Sequence, residues 1–501
     1  MSEVNGQSGG GAAGATSLRR NSLNLPEVLA QSVANMSPTG AMALLPLLVF
    51  FSAGNGTWVS FVIAIVLMMC VGYCAAQFSR RANSAGSFYV WVTRGLGPGA
   101  GHSAGWALQL GYVVTGIATI LGFGIFGGDF LNRVTGGAIA ADNRIVLTVL
   151  FLVDFFVPLA VAIRDMRLSA RTSLTLEAIS VALILILCVA IWVNKGGVFD
   201  TTQLQLKGVT TGGVLVGVVL AIFAFVGFES AGSLGMEARN PYRTIGQAIL
   251  TSCLVVGLFY VVVSYSQAFG FEGTKGGFVK SSAPLPDLAN IVGLNFLAPI
   301  MDISIMLSLF ACTLACINAS ARIAFTMAHD GMGVTALARA HDTHRTPHVA
   351  IWVVAVPMVL AAIVPVLAGG RAVDLTAYVG TLATFGFMLA YALVSLAAPV
   401  FLLNRLGISN PVVIVLGAIG VLSMAFVFWA NWLPQFIPGG AFTALSGVYV
   451  WLPYVFLAWT AIGLVWYFVV RATQPHVASG LGTRFESAGT EGAPAEPATA
   501  P

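Results

Sequence analysis

Few ionisable side chains interrupt the apolar stretches of this chain, and those that do are the first candidates for chemistry. Glu229 sits in Phe225-Val226-Gly227-Phe228-Glu229-Ser230, Glu177 in Thr175-Leu176-Glu177-Ala178, and Asp154 in Leu152-Val153-Asp154-Phe155. A carboxylate held in hydrocarbon is costly, so such groups mark ion or proton pathways, ligand sites or paired structural acids. For Asp154, a functional acid and one satisfied by a neighbouring helix are both open. Asp302 and Ser304 begin another apolar run and read as interfacial. Cys70, Cys74, Cys188, Cys253, Cys312 and Cys316 all lie inside apolar runs. They read as small packing residues, forming neither disulfides nor a metal site. His341, His344 and His348 have ligand-like spacing, but no set of acids or thiols converges on them, so a solvated loop is the better reading. Gly122-x-Gly124-x-x-Gly127 matches a dinucleotide fingerprint in spacing alone. It follows no strand, and close helix packing explains it better.

The elements that position these groups are interrupted helices. The run from Val214 to Val226 is too short to cross a bilayer, which takes about 20 residues. Gly227 and Glu229 interrupt it, a second short run leads to Glu237, and Asn240-Pro241 ends the helix. A break in hydrocarbon survives only where it is packed in protein or lines a cavity. Phe225, Val226, Gly227, Phe228 and Glu229 therefore read as the wall of a binding site, the alternative being a glycine kink with a hydrogen-bonded structural glutamate. The first apolar run carries Ser37-Pro38-Thr39-Gly40, where proline removes a donor and glycine loosens the helix. Four such residues in a row predict local unwinding, the alternative being a simple proline kink. Two broken helices, one in each half of a chain, are the best sequence pointer to a site at the bilayer midplane.

Composition fixes the class. The 501 residues are 57% hydrophobic and 8% charged, with a mean hydropathy of +0.89. Soluble domains carry roughly 25% charged residues. The apolar runs are too long for the alternating strands of a barrel. The expectation is an all-α membrane protein with twelve spans, at 27–51, 59–78, 104–131, 145–163, 173–193, 214–237, 245–269, 299–327, 349–368, 375–403, 411–432 and 449–470. The eighth and tenth are long enough to tilt or project. With the N-terminus inside, only Arg133, Arg144, Lys195, Lys207, Lys275, Lys280 and Arg371 of the 23 Lys and Arg fall outside. That asymmetry predicts two cytoplasmic termini. Residues 1–24 and 472–501 are rich in small and polar residues and are expected to be disordered. Arg19-Arg20 reads as a cytoplasmic anchor, since no cleavage site follows a short apolar core.

Several motifs carry a resemblance. Phe225-x-Gly227-Phe228-Glu229-Ser230-Ala231, followed by Glu237-Ala238-Arg239-Asn240-Pro241-x-Arg243-Thr244-Ile245, resembles the sixth-span motif of the amino acid–polyamine–organocation permeases. Ser84-Ala85-Gly86-Ser87-Phe88-Tyr89-Val90-Trp91 resembles that family's second loop. Ala321-Arg322-Ile323-Ala324-Phe325, running on to His329-Asp330-Gly331-Met332, resembles the end of its eighth span, with His329 where arginine is common. Thr346-Pro347-His348-Val349-Ala350 resembles the start of its ninth. The resemblance covers about residues 27–470 and implies a five-plus-five inverted repeat of the leucine-transporter type. In that scheme residues 27–193 form one repeat, 214–403 the other, and 411–470 two accessory helices, within a transport domain of 25–471.

It further implies a secondary transporter of amino acids in the plasma membrane, working by alternating access, with an amine, polyamine or amino acid exchanger as the alternative. A helix N-terminus near Gly40 suits a carboxylate, and carbonyls at a helix end near Val226 suit an ammonium. By resemblance Ser37, Pro38, Thr39 and Gly40 line the carboxylate side, the carbonyls of Phe223 and Val226 receive the amino group, and the Phe223 ring gates the site. Gln109, Tyr112 and Ser308 are candidates for the side-chain pocket. Glu229 corresponds to an acid implicated in proton sensing. Glu177 aligns with a lysine that replaces sodium in some proton-coupled members, and a protonatable carboxyl there points to proton symport, sodium being the other coupling ion considered. Its alternative is an ion pair with Arg167 or Arg171. The partners expected are a small-molecule substrate, a coupling ion and lipid, with no nucleic acid, cofactor or metal. A channel needs a polar pore lining, a receptor an effector domain, and an enzyme a nucleophile cluster at one depth; no such feature is readable here.

Overall fold

The computed structural model describes residues 18, 22–82, 84–274, 277–281, 283–432 and 447–482. Among these the chain is helical, with one isolated bridge between Leu23 and Ala238. The helices in order are α1 (Leu25–Met36), α2 (Pro38–Ala53), α3 (Thr57–Ser79), α4 (Phe88–Leu96), α5 (Pro98–Val134), α6 (Arg144–Arg164), α7 (Met166–Asn194), α8 (Thr201–Leu204) and α9 (Thr211–Phe223). After them come α10 (Pro241–Phe271), α11 (Pro284–Ile291), α12 (Leu297–His329), α13 (His348–Leu367), α14 (Ala372–Leu406), α15 (Pro411–Trp432), α16 (Leu452–Thr473) and α17 (Pro475–Ser479). Eleven continuous helical stretches among the described residues are long and apolar enough to cross a membrane. The first, Leu25–Ser79, contains α1, α2 and α3 with a 3₁₀ turn at Gly54–Gly56.

The centre of the bundle is α5, which packs along α12 and α14, while α3 packs along α10. Glycines make this close approach possible, as small residues do between membrane helices. A Cβ on Gly111 would stand 2.7 Å from the Phe387 ring, and one on Gly116 would stand 2.6 Å from Met358 Sδ. Gly122, Gly124 and Gly127 face Leu309, Phe151 and Leu150, which is helix packing. Trp106 on α5 and Trp459 on α16 stack at 4.6 Å, and each indole N–H donates to the other's carbonyl at 2.8 and 3.0 Å.

The structure departs from the expectations at identifiable places. Proline begins α2, α5, α10, α11, α15 and α17, so several helices start earlier than hydropathy suggests, because proline is preorganised for the first turn. α12 and α14 are long, with 33 and 35 residues, but α5 is longer at 37. Asp302 and Ser304 are both buried among the helices. Arg133 reaches in to Asp302 at 2.9 Å, and the Ser304 hydroxyl donates to the Ser180 carbonyl. α16 ends at Thr473, Val477 on α17 and Leu481 are buried, and the Gly482 N–H donates to Asp330 at 2.8 Å. Arg19, Arg20, most of residues 1–24 and residues 483–501 lie outside the described residues.

Candidate functional site

The first helix break is a single residue. α1 ends at Met36, Ser37 has φ +46°, and α2 resumes at Pro38. The expected unwinding over four residues is not seen. Pro38 as the first helical residue has no N–H to lose and a preset φ, so the helix restarts at once. The Ala41 N–H makes the first regular bond, to the Ser37 carbonyl at 2.8 Å. Thr39 and Gly40 are left as first-turn donors, and the Gly40 N–H reaches Ser308 Oγ at a long 3.4 Å. The Thr39 hydroxyl and the Asn35 amide nitrogen are buried without a partner among the described residues.

The second break is longer. α9 stops at Phe223, turns carry residues 224–227, and Gly227 has φ +98°. A 3₁₀ helix, Phe228–Leu234, comes next. Any Cβ on Gly227 would collide with Asn35 Nδ2, so the two breaks face each other there. The Phe223 carbonyl accepts the Val226 N–H at 3.2 Å. The Tyr260 hydroxyl lies between the Met36 carbonyl at 3.1 Å and the Ala224 carbonyl at 2.8 Å, tying the ends of α1 and α9 together. Ser32 donates to the Phe228 carbonyl at 2.6 Å and accepts the Ala231 N–H, while Ser230 donates to the Gln31 carbonyl. α1 and the 3₁₀ helix are thereby stitched into one unit.

Ser37, Pro38, Thr39, Gly40, Phe223, Val226 and Gly227 gather at these breaks. The rings of Phe225 and Phe228 do not: both are fully buried, Phe225 edge-on to Tyr260 and Phe228 edge-on to Tyr391. The Phe225 ring packs beside Gly257 on α10 and the Phe228 ring beside Gly72 on α3, where glycine leaves room for them. Gln109 is also withdrawn, exchanging hydrogen bonds with the carbonyl and hydroxyl of Ser320. The structure adds Asn35, Tyr260 and Tyr391, which sequence reasoning misses. The rarity of polar groups in apolar runs, which points to Glu229, also marks each of them.

Glu229 is fully buried and satisfied by two phenols. Tyr112 donates to Oε1 at 2.6 Å and Tyr391 to Oε2 at 2.5 Å, while Tyr391 accepts the Gly227 N–H at 3.1 Å. Glu177 is also fully buried, eleven residues into α7 rather than one turn from its end. Its pairing with Arg167 or Arg171 is not seen, because both guanidiniums approach Glu27, at 3.8 and 3.1 Å. Instead both Glu177 oxygens lie 3.0 Å from the Ser308 hydroxyl, which is 3.0 Å from the Ser37 hydroxyl. A chain of three side chains thus joins α7 through α12 to the first break. Asp154 accepts from Thr313 at 2.7 Å, and Thr313 meets Thr119 at 2.8 Å.

A buried ion pair stands where the second broken helix ends. Glu237 and Arg322, each 1% exposed at the side chain, form two hydrogen bonds of 2.7 and 3.0 Å. The Ser22 and Leu23 N–H groups donate to the Glu237 carbonyl, and the Arg239 N–H returns to Leu23. Arg167 donates to the Ser22 carbonyl. The segment before α1 is therefore clamped to the end of the second broken helix.

Among the described residues, many helical stretches long and apolar enough to cross a membrane, two of them interrupted at facing points, make the architecture of a multi-pass membrane protein. The chain belongs to the amino acid permease family, whose model matches residues 27–477. It is 26% identical to the branched-chain amino acid permease BcaP of Bacillus subtilis, over 66% of this chain and 70% of the relative. An uncharacterised transporter of Mycobacterium tuberculosis is 25% identical over 81% of this chain and 86% of its own. Cationic amino acid transporter 4 of Mus musculus is 26% identical over 76% of this chain and 59% of its own.

Proposed function

We propose that this protein is a proton-coupled symporter that carries amino acids across the plasma membrane by alternating access. The fold proposed is twelve spans with both termini cytoplasmic. Three features support it: the 55-residue stretch Leu25–Ser79, divided by the 3₁₀ turn at Gly54–Gly56, is long enough for two spans, α1 pairs with the 3₁₀ helix Phe228–Leu234, and α2 pairs with α9. The last two pairings are those an inverted repeat of 27–193 on 214–403 requires, with 411–470 as accessory helices in a domain of 25–471. The N–H groups of Thr39 and Gly40, with the unpartnered Thr39 hydroxyl and Asn35 amide, suit a substrate carboxylate. The carbonyl end at Phe223 and Val226 suits its ammonium.

The observation that carries the coupling is the chain Glu177–Ser308–Ser37. A hydroxyl has one proton, so Ser308 donates to an ionised Glu177 while accepting from Ser37 and Gly40. Once Glu177 takes a proton it donates instead, and Ser308 must turn its own proton toward Ser37. The protonation state on α7 is thus written into the first break. The test is transport in proteoliposomes under an imposed pH gradient. Glu177→Gln keeps substrate exchange and loses gradient-driven accumulation. Accumulation equal to wild type would leave Glu177 structural, and accumulation driven only by a sodium gradient would make sodium the coupling ion. Pure exchange in the wild type would favour the antiporter reading.

A further inference from the structure

We propose that Asp154 is a proton-binding site, occupied in this conformation and separate from Glu177, whose proton feeds one hydrogen-bonded relay from α6 through α12 to α5.

Asp154 stands midway along the 21-residue α6 and is fully buried, and α6 packs on α5, α7, α12 and α13. None of these elements brings it a cation. Arg144 and Arg164 are at the two ends of α6, each about 15 Å away along the helix. α13 has no ionisable side chain after His348, its first residue. On α7, Arg167 and Arg171 approach Glu27, Glu177 takes the Ser308 hydroxyl, and Cys188 lies three turns further on. On α12, Cys312 and Cys316 donate to Asn35, while Asp302, Arg322 and His329 stand about 13 Å or more from Thr313 along the helix. On α5, Tyr112 is bound to Glu229, and His102, Asp129 and Arg133 stand about 15 Å or more from Thr119.

The hydrogen bonds around Asp154 are short by one proton. Thr313 Oγ1 lies 2.7 Å from Asp154 Oδ2 and 2.8 Å from Thr119 Oγ1, which lies 3.0 Å from the Gly116 carbonyl. Three contacts need three protons, and the two threonines supply one each. With Asp154 ionised, Thr313 donates to the carboxylate, Thr119 donates to Thr313, and nothing is left for Gly116. With Asp154 protonated, every contact is filled in one direction: the acid O–H donates to Thr313, Thr313 to Thr119, and Thr119 to Gly116. Two further acceptors point the same way. Asp154 Oδ1 has no donor among the described residues. The Asp154 backbone carbonyl lacks its usual helical donor, because Pro158, four residues on, has no N–H. A buried carboxylate with one hydroxyl donor and no cation is costly, whereas the neutral acid leaves only carbonyl oxygens unmet. Glu177 differs. There Ser308, Ser37 and the Gly40 N–H each bring a proton, so the count closes with the acid ionised.

The experiment is isotope-edited infrared spectroscopy of the full-length protein in proteoliposomes at neutral pH. Protein made with ordinary aspartate is compared with protein whose aspartate carries heavy carbon in the side-chain carboxyl. The difference reports aspartyl groups and leaves Glu177 and Glu229 silent. Wild type is expected to show a protonated-carboxyl C=O band that Asp154→Asn lacks. Thr313→Val removes the acceptor of the acid proton and should move that band to higher frequency. It keeps the test open if Asp154→Asn does not fold, which size-exclusion chromatography of the purified variant checks. Matching spectra of wild type and folded Asp154→Asn in the protonated region would show Asp154 ionised and overturn the proposal. So would carboxylate bands of Asp154 that respond to added sodium, which would make the site one for a metal cation. A band that stays in place in Thr313→Val would break the relay. The infrared result does not depend on what the protein carries. In transport, Asn offers an N–H where the acid offers its O–H, so Asp154→Asn should keep the gradient-driven accumulation that Glu177→Gln loses. Loss of accumulation in Asp154→Asn would overturn the separation of the two sites.

Discussion

Glu229 and Glu177 are both carboxylates beside helix breaks, but their surroundings give them different work. Glu229 is clasped by two phenols from α5 and α14, and one of those phenols also holds the Gly227 N–H. A proton arriving on Glu229 converts an acceptor oxygen into a donor, so one tyrosine loses its partner and the clasp across the second break loosens. Transport should therefore change as pH falls, and Glu229→Gln should flatten that dependence more than it weakens substrate affinity. A parallel shift in affinity alone would make Glu229 a substrate ligand. Tyr391→Phe leaves a buried carboxylate oxygen and an N–H unpaired, a loss of about 1.5–3 kcal/mol for a hydrogen bond to a charged group. It should lower the thermal midpoint of the purified protein. Which residues are polar in an apolar run is legible in the sequence. Their partners are not: nothing local to Glu177 announces Ser308, 131 positions away, and the nearer arginines offer a reasonable pairing that Glu27 takes instead.

At the scale of the helix, each break is held by geometry that only glycine or a small residue permits. Gly227 sits at φ +98°, which costs an L side chain backbone strain, and any Cβ there meets Asn35. On Gly40 a Cβ would meet both Ser37 Oγ and Leu309. Gly40→Val and Gly227→Val should abolish uptake while the protein remains in the membrane at near wild-type amount, as read by blotting the membrane fraction. Normal transport by either variant would move the site away from the breaks. That two helices are interrupted can be read from Pro38 and Gly227. The form of each interruption cannot. Proline can open a stretch of unwound chain or restart a helix immediately, and the choice is made by tertiary contacts such as the Tyr260 hydroxyl between the two carbonyl ends. Helix boundaries slip for the same reason: hydropathy falls at Pro98-Gly99-Ala100-Gly101, yet that stretch is helical, with Gly99 packed on Tyr467 of α16 and Gly101 on Thr93 of α4.

For the whole molecule, the distribution of arginines sets one end apart, and on the proposed topology, with both termini cytoplasmic, Ser8→Cys and Thr490→Cys should resist an impermeant maleimide applied to intact cells. Glu237 and Arg322 form a buried pair where the second broken helix ends, and its opening gives the last prediction. Arg322 belongs to α12, which packs along the central α5, while Glu237 ends the segment stitched to α1. The ion pair therefore spans two bodies that must separate if substrate is to leave toward that side. Removing one partner from a buried pair leaves the other charge uncompensated, at a cost of about 3–5 kcal/mol to the closed state. A change of that size is enough to turn a closed ensemble substantially toward open, since about 5.5 kcal/mol moves a two-state equilibrium from 1:99 to 99:1. Two native thiols can report on it. Cys312 and Cys316 hydrogen-bond to Asn35 at 3.2 and 3.1 Å and are buried in the closed form. In inside-out vesicles they should react slowly with an impermeant maleimide in the wild type. Glu237→Gln should raise that rate by about tenfold or more and lower substrate accumulation, because leak through the opened end competes with coupled transport. Equal labelling of variant and wild type, in protein that is folded and monodisperse, would show that the pair only braces the bundle and that closure at this end depends on the Leu23–Ala238 bridge instead.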